Sequence, residues 1–206
     1  NIQLLLYSTG PSDDKGLLLG EHRMEYRDPD KAIDVVESDV RLAILDSCAS
    51  GAFTRLKGGR KRAPFLVGSA SDVKGHAFLT SSSADEAAQE SDRVGGSYFT
   101  HFFTTGLRGA ADADGDKLVT LNEAYEFAFD ETLAQTEASR GGAQHAAYDI
   151  NLTGSGDLVL TDLRRTTARL QLASELGGRV FVRRAGGELS AELYTPAGGG
   201  AVLLAL

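Results

Sequence analysis

Short segments rich in apolar residues alternate with polar stretches through most of the chain. Five of these segments predict β-strands: residues 1–7, 15–20, 41–45, 74–80 and 157–161. The run at 41–45 has no polar residue after Arg41. That pattern is typical of a strand covered on both faces, as in a parallel sheet.

Helical patterns lie between these strands. Residues 97–107 carry aromatic side chains at helical spacing. Residues 120–133 begin with a capping box, in which Thr120 and Glu123 each satisfy a backbone N–H of the other. A shorter helix is expected at 30–36, with an aspartate as its N-cap. Strands interleaved with helices predict an α/β fold.

The pattern changes after about residue 165. Apolar and polar residues then alternate, and pairs of glycines separate the runs. Such alternation predicts short antiparallel strands joined by tight turns. We therefore expect two domains: an α/β domain over residues 1–165, and over 166–206 the start of a small β-sandwich-like, all-β module that the chain contains only in part.

Composition narrows the classes of partner. The formal net charge is -8 and the pI is near 5.0, which argues against a nucleic-acid groove and against an anionic membrane surface. No apolar run reaches the roughly 18 residues of a membrane helix. The start of the chain lacks the features of a signal peptide, and a single cysteine forms no internal disulfide. We expect a cytoplasmic location, with neither nucleic acid nor membrane as a partner.

The single cysteine, Cys48, follows the apolar run in the segment LAILDSCASG. Sites in α/β sheets lie at the carboxyl ends of strands, and the small residues after Cys48 leave backbone N–H groups able to face an oxyanion. A thiol at this position is therefore a candidate nucleophile. The alternative is a buried cysteine that packs as a small hydrophobic side chain.

Three segments in order resemble one family of enzymes. They are LAILDSCASGAF at 42–53, FLTSSSADEAAQES at 78–91, and GSYFTHFFTTGLRGAADADGDKLVTLNEAYEFA at 96–128. Together they resemble caspase-like cysteine peptidases, especially metacaspases and their bacterial relatives, over roughly residues 1–160. The resemblance implies a caspase-like, mostly parallel sheet flanked by helices, and a peptidase domain whose first strand–helix unit is absent before Asn1.

The resemblance also implies a cysteine endopeptidase that cleaves peptide bonds after arginine or lysine. In it Cys48 is the nucleophile, while Asp46, Asp85 and Ser83 line the pocket for the basic side chain. The partner is a protein or peptide substrate with Arg or Lys before the scissile bond, and two carboxylates suit a bidentate guanidinium. The alternatives are a turn or cap role for Asp46 and an N-cap role for Asp85.

The histidine of the family falls on Pro11 when the segment YSTGP is aligned without gaps, and the preceding family glycine falls on Gly10. Proline accepts no proton from a thiol, although the Gly10 N–H remains a candidate donor to an oxyanion. The second hypothesis is therefore a catalytically inactive caspase-like pseudoenzyme that acts as a binding or scaffold module. The histidines present, at positions 22, 76, 101 and 145, lie outside the family motif and are expected to have ordinary surface or core roles.

An acidic loop at 112–123 has the spacing of an EF-hand calcium loop. Its six candidate ligands are Asp112, Asp114, Asp116, the backbone carbonyl of Leu118, Thr120 and Glu123. Lys117 occupies the sixth position, where glycine is usual, so we expect at most weak Ca²⁺ binding and no obligatory cofactor. The alternative is a solvated acidic turn that ends in the capping box.

The segment RLKGGRKR at 55–62 is basic and contains glycines, as exposed loops do. If the chain cleaves after basic residues, this loop is a candidate site of self-processing, because nicking concentrates at such loop tips. The alternative is a solvated charged loop.

Overall fold

The computed structural model describes residues 2–13, 15–25, 36–47, 73–83, 86–154, 156–199 and 201–206. The chain divides into two compact units. One comprises Asn1–Gln89 with Thr136–Gly156, and the other comprises Glu90–Gln135 with Asp157–Leu206. Each unit is therefore built from two separate stretches of the chain.

The first unit contains a four-stranded sheet. Its strands, in spatial order, are β1 (Gln3–Thr9), β4 (Val40–Asp46), β5 (Lys74–Thr80) and β9 (Ala147–Thr153). Strands β1, β4 and β5 are parallel, and β9 runs antiparallel to β5. The predicted α/β class with a mostly parallel sheet is thereby confirmed, whereas the caspase-like identity of the fold and its flanking helices stay predictions.

Burial explains why the central strands form. Six of the seven residues of β4 are buried, and the last four of β5 are buried too. Leu45 and Phe78 pack with Ala43 and Leu17, and the cluster is extended by two half-buried leucines of β1. The edge strand β1 instead alternates between exposed and half-buried residues, so its apolar run contributes one face to this core.

The short strands in the first half of the chain pair in two antiparallel hairpins. Strand β2 (Gly16–Leu19) pairs with β3 (His22–Glu25), and β6 (Glu90–Ser91) pairs with β7 (Gly96–Ser97). The prediction at 15–20 is thus confirmed. The hairpin partner β3 was not predicted, because all four of its residues are exposed and carry no apolar alternation.

The second unit contains the helices α1 (Tyr98–Thr105) and α2 (Leu121–Thr136), whose last residue belongs to the first unit. Ser97 caps α1 by accepting a hydrogen bond from the N–H of Thr100 at 3.1 Å. The helix predicted to reach residue 107 ends earlier, and a π-helical turn over Gly106–Ala110 follows it. At Gly109, φ is 121° and a Cβ atom would lie 2.0 Å from the Leu203 carbonyl oxygen, so this turn requires glycine.

Three antiparallel pairs supply the strands of the second unit. Strand β8 (Leu118–Thr120) pairs with β10 (Val159–Asp162), β11 (Arg169–Leu172) with β14 (Val202–Ala205), and β12 (Gly178–Arg183) with β13 (Leu189–Thr195). The predicted antiparallel strands beyond residue 165 are therefore present. A 3₁₀ turn over Leu163–Arg165 connects β10 to them.

The core of the second unit joins these strands to the helical part of the same unit. Buried residues of β11, β13 and β14 pack with Phe127 of α2 and with Ala110 of the π-helical turn. The observed division accordingly does not follow the boundary expected after residue 165. The apolar face of the C-terminal strands is covered by side chains that precede them by dozens of residues.

A buried ion cluster crosses this second unit. Glu192 has no exposed side-chain surface, and its carboxylate lies 3.1 Å from Arg179 and 2.9 Å from Arg93. Arg179 also lies 2.8 Å from Glu131 of α2. The guanidinium of Arg93 stacks over the Phe181 ring, 5.8 Å from its centroid. Each buried charge of the cluster thus has an opposite charge beside it.

None of the helices in the described ranges combines the length and the apolar composition needed to cross a bilayer.

Candidate functional site

The parallel strands of the first unit end together at one edge of the sheet. Thr9 at the end of β1 lies opposite Asp46 at the end of β4, and Leu45 lies opposite Thr80 at the end of β5. Because carboxyl ends of parallel strands face the same side, this edge is where side chains from separate segments converge.

Asp46, predicted to bind a basic side chain, lies at this edge with 4% of its surface exposed. Its Oδ2 atom accepts a hydrogen bond from the Tyr7 hydroxyl at 3.4 Å, a long contact between neighbouring strands. A carboxylate kept out of water is costly unless donors or cations face it. Asp46 therefore makes this edge a place that favours positive charge.

Two buried hydroxyls follow the ends of β4 and β5. The side-chain oxygens of Ser47 and Ser81 have no hydrogen-bond partner among the described residues, although both residues are almost fully buried. Ser82, also buried, donates instead to the Ser47 carbonyl oxygen at 3.3 Å and so ties the ends of β4 and β5 together. Buried hydroxyls without partners are uncommon in folded proteins and mark candidate ligand sites.

Gly10, the candidate oxyanion donor, lies directly after β1 with φ at 139°, a backbone conformation that glycine adopts readily. Its N–H points to the Asp46 carbonyl oxygen at 3.4 Å. The structure therefore places Gly10 beside Asp46 through backbone atoms. An oxyanion would have to replace this weak bond in order to use the Gly10 N–H.

Several predicted features lie outside the described residues. These are the nucleophile Cys48, the second pocket acid Asp85, the basic loop at 55–62 and most of the helix at 30–36. Cys48 follows Ser47 directly in the sequence. Its role and that of Asp85 stay predictions.

Ser83, the remaining predicted pocket residue, belongs to a polar group around Glu86. The Glu86 carboxylate accepts hydrogen bonds from the backbone N–H of His145 at 2.7 Å and from the imidazole Nδ1 at 2.8 Å. Burial raises the pKa of Glu86, but these bonds and one from the Ser83 side chain outweigh it and hold the pKa below its usual value. The sequence prediction assigned neither Glu86 nor His145 to the site, because the pair is separated by 59 positions.

Glutamine side chains fix the loop that carries His145. Gln89 donates to the Gly142 carbonyl at 2.7 Å and accepts from the Ser139 hydroxyl at 2.6 Å. Gln144, fully buried, accepts from the Gln89 N–H at 2.8 Å and donates to the Ser81 carbonyl at 2.7 Å. The loop is thereby anchored to the end of β5. The signal for Gln89 was already present in the FLTSSSADEAAQES segment.

The acidic loop lies in the second unit and forms a compact turn. Carboxylate oxygens of Asp112, Asp114 and Asp116 lie within 4.8 Å of one another. Asp112 accepts hydrogen bonds from the N–H groups of Gly115 at 3.0 Å and Lys117 at 3.1 Å. Lys117 has φ at 69° and is the one non-glycine residue with a positive φ in the described ranges. The chain thus makes the left-handed turn that an EF-hand loop needs at its sixth position, with lysine in place of glycine.

The other predicted ligands of this loop have structural partners. Both Glu123 oxygens are engaged: Oε1 accepts from the Ala113 N–H at 3.2 Å, and Oε2 accepts from the Thr120 N–H at 2.9 Å and hydroxyl at 2.8 Å. The Glu123 N–H lies 3.3 Å from the Thr120 hydroxyl, so the predicted capping box is confirmed. Leu118 lies at the start of β8. Three aspartates therefore fit a hard cation such as Ca²⁺, whereas Glu123 already acts as a cap.

Charge within this loop also favours a cation. Burial raises the pKa of Asp112, and the neighbouring charges of Asp116 and Glu123 raise it further, against the effect of the two backbone hydrogen bonds. A bound cation would offset the repulsion among these carboxylates. Exposed acidic clusters are common without ions, however, so the loop by itself does not decide the function.

No protein-family model and no curated protein matches this chain.

Proposed function

We propose that this chain is a caspase-like cysteine endopeptidase that cleaves peptide bonds after arginine or lysine, with Cys48 as the nucleophile. The observation that carries the proposal is the sheet edge where β4 and β5 end. The buried carboxylate of Asp46 lies there, buried hydroxyls without described partners follow the ends of both strands, and the residue after Ser47 is the single cysteine. The mostly parallel sheet is the architecture that a caspase-like fold requires.

The expected substrate follows from the charge at this edge. Asp46 is buried, so an incoming guanidinium or ammonium group would meet a carboxylate screened little by water. The buried hydroxyls of Ser47 and Ser81, after the ends of β4 and β5, are further acceptors of the kind that suits a guanidinium group. Protein or peptide substrates with Arg or Lys before the scissile bond supply these groups.

Reporter peptides that end in Arg, Lys or Asp test the proposal, with native protein beside the Cys48→Ala and Asp46→Asn variants. We expect cleavage after Arg and Lys but not after Asp, complete loss in Cys48→Ala, and a raised KM for basic substrates in Asp46→Asn. Equal turnover by the native protein and Cys48→Ala would end the enzyme proposal.

Pro11 is the observation that favours the alternative, a pseudoenzyme that binds partners. Its carbonyl accepts the Leu18 N–H at 2.9 Å, which joins the end of β1 to β2, and its ring has no group that takes a proton. Loss of a general base lowers the rate by roughly 10²–10⁴-fold. If only the Pro11→His variant cleaves the reporter peptides, the native chain is a pseudoenzyme whose substrate pocket is intact.

Weak Ca²⁺ binding by the acidic loop belongs to the same proposal. Asp112, Asp114 and Asp116 would supply oxygen ligands, and the ion would stabilise the second unit by binding its folded form. Raising the Ca²⁺ concentration should raise the melting temperature of the native protein but not that of the Asp114→Asn/Asp116→Asn variant. An equal response of both proteins would remove calcium from the proposal.

A further inference from the structure

We infer that a cavity in the second unit, between the acidic loop and the β11–β14 pair, binds a small organic molecule through a carboxylate group. The cavity has a volume of about 400 Å³, which lies within the range of small-molecule sites. Its cationic lining residues are Lys117 and Arg169. This site lies apart from the sheet edge of the first unit, and its ligand does not depend on the proposed peptidase activity.

The wall formed by β11 and β14 belongs to the face of these strands that points away from the core. Leu172 and Leu204 are part of the buried cluster that forms the core of the second unit. Because side chains alternate along a strand, Arg169 and Gln171 lie on the opposite face of β11. Leu203 is paired with Gln171 and lies on the same face of β14. This wall thus combines a guanidinium, an amide and an apolar side chain.

The acidic loop forms the second wall, and backbone contacts hold it close to β14. A Cβ atom at Gly109 would lie 2.0 Å from the Leu203 carbonyl oxygen, so the turn before the loop touches the strand directly. The Asp112 N–H donates to the Gly109 carbonyl at 3.2 Å, and the Leu163 N–H donates to the Lys117 carbonyl at 2.9 Å. Both ends of the loop are therefore tied to the fold, and the cavity is pre-formed as ligand sites usually are.

Arg169 is held in position without an acidic partner. Its Nε atom donates to the Thr166 carbonyl at 3.2 Å and hydroxyl at 3.1 Å, and Nη2 donates to the Arg164 carbonyl at 2.9 Å. Asp162 pairs with Arg164 instead, at 2.8 Å. A guanidinium has five N–H donors; two are used here, so three remain, on Nη1 and Nη2. This end of the guanidinium can form the two parallel hydrogen bonds that a carboxylate accepts.

Lys117 adds a second positive charge that lacks an acidic partner. Its ammonium makes neither a hydrogen bond nor an ion pair with any residue of the described ranges. The aspartates of the same loop do have donors: Asp114 accepts from the Asp116 N–H at 3.1 Å, and Asp116 accepts from the Leu118 N–H at 2.7 Å. The cations that line the cavity therefore have the larger unused capacity to bind a ligand.

Charge and polarity around the cavity select the class of ligand. Two cationic residues favour an anion, and Ala201 and Leu203 offer apolar contact to the rest of the molecule. The carboxylates of Asp112, Asp114 and Asp116, within 4.8 Å of one another, would repel a second negative charge on the ligand. The expected ligand is therefore a small monocarboxylate with an apolar body, rather than a doubly charged phosphate ester.

Three probes that share one aromatic ring test this preference: benzoate, phenyl phosphate and benzylamine. Binding to the native protein is followed by ligand-observed NMR between about 0.01 M and about 0.15 M salt. We expect benzoate to bind with a Kd on the order of 1 mM, and to bind more weakly as salt is added. Phenyl phosphate should bind about fivefold more weakly than benzoate because of its second charge. Benzylamine should not displace benzoate.

Substitutions of the lining residues locate the bound probe. Arg169→Gln and Lys117→Gln each remove one positive charge and keep an amide donor, and each should weaken benzoate binding by about tenfold. Ala201→Leu keeps every charge but narrows the cavity, so it should also weaken binding by about tenfold. The matched control is Arg184→Gln, which makes the same change of charge at an exposed residue after β12 and should bind benzoate like the native protein.

Thermal unfolding establishes that each variant is folded before its affinity is compared. If loss of the Arg169 hydrogen bonds unfolds Arg169→Gln, the test is carried by Lys117→Gln, on the exposed loop, and by Ala201→Leu. Absence of benzoate binding to the native protein would overturn the inference. Equal binding by the native protein, Lys117→Gln and Ala201→Leu would overturn it as well, since the probe would then lie outside the cavity.

The competing probes and a catalytic variant complete the test. Tighter binding of phenyl phosphate than of benzoate, or displacement of benzoate by benzylamine, would refute the assigned class of ligand. Cys48→Ala should bind benzoate like the native protein. Failure of the peptidase proposal is therefore read from reporter-peptide cleavage, and failure of this inference is read from benzoate affinity.

Discussion

Each of the two units buries a carboxylate among polar groups, and the two clusters differ in what surrounds it. In the second unit Glu192 lies between two guanidinium groups, and one of these is held by a second carboxylate. In the first unit Asp46 is the last residue of β4, and the hydroxyls of Ser47 and Ser81, after the ends of β4 and β5, have no hydrogen-bond partner among the described residues. In the second cluster each charged group has an opposite charge beside it, although Glu192 Oε2 makes no regular hydrogen bond, whereas the first cluster contains two buried hydroxyls without a hydrogen-bond partner among the described residues.

The difference bears on which cluster stabilises the fold and which one we propose as a ligand site. Breaking a complete buried ion cluster leaves charges without partners and destabilises strongly. Removing a buried hydroxyl that has no partner costs little, because no hydrogen bond is lost. Burial alone therefore does not distinguish a structural cluster from a site, and the opposite charges beside Glu192 are what mark the second cluster as structural.

The largest expected effect is that of Glu192→Ala. The substitution leaves Arg179 and Arg93 without their shared buried carboxylate, although Glu131 and solvent compensate in part. We expect a loss of about 3 kcal/mol in the free energy of unfolding. Denaturant unfolding measures it. The matched control is Glu188→Gln, which breaks the exposed pair with Arg184 and should cost less than about 0.5 kcal/mol.

A smaller difference in stability is expected between removing a buried hydroxyl that is hydrogen-bonded and removing one that is not. Thr195 is 4% exposed, and its hydroxyl lies within 2.8 Å of the Leu176 carbonyl and 3.1 Å of the Gly178 carbonyl. Thr195→Val should therefore cost about 1 kcal/mol in the free energy of unfolding, whereas Ser81→Ala should change it by less than about 0.5 kcal/mol. A larger loss from Ser81→Ala than from Thr195→Val would contradict the proposed distinction between the clusters.

The smallest expected effect is a pH dependence of the free energy of unfolding that comes from His101, beside the ion cluster. Burial lowers the pKa of His101; the Glu192 charge opposes this, and the charges of Arg93 and Arg108 add to it. The unfolded chain thus binds a proton near pH 6.5 that the folded protein binds only at lower pH. This contribution to stability is present above about pH 6.5 and is lost as the pH falls through the folded pKa. Unfolding curves between about pH 5 and pH 8 should show a shallower loss for His101→Phe than for the native protein.

Local signals predicted the elements that depend on local interactions. The continuous apolar run at 41–45 marked β4, and the Thr120–Glu123 pair marked the start of α2. Strand β9 was missed because its residues AYDINLT are of mixed polarity and it is formed by pairing with β5. The pairing of His145 with Glu86 was missed for the same reason, since it depends on the fold rather than on a motif.

The two compact units divide the chain at places other than the predicted limit near residue 165. Alternation after residue 165 predicted the C-terminal strands correctly, but alternation does not show what covers their apolar face. That face packs against Phe127 of α2 and Ala110, so the strands share one core with residues earlier in the chain. Of the candidate site, the sequence suggested Asp46 and Ser83 as pocket residues, whereas the buried Gln144, which anchors the neighbouring loop to the end of β5, emerged only from the fold.

The division of each unit between two stretches has a consequence for handling the protein. The polypeptide passes from one unit to the other after residues 89, 135 and 156. No single cut yields either unit intact: truncation before residue 136 would remove β9 from the sheet and, with it, His145 and the strands that close the second core. Deletion mapping would therefore report misfolding rather than the location of activity, and point substitutions are the suitable tool for dissecting it.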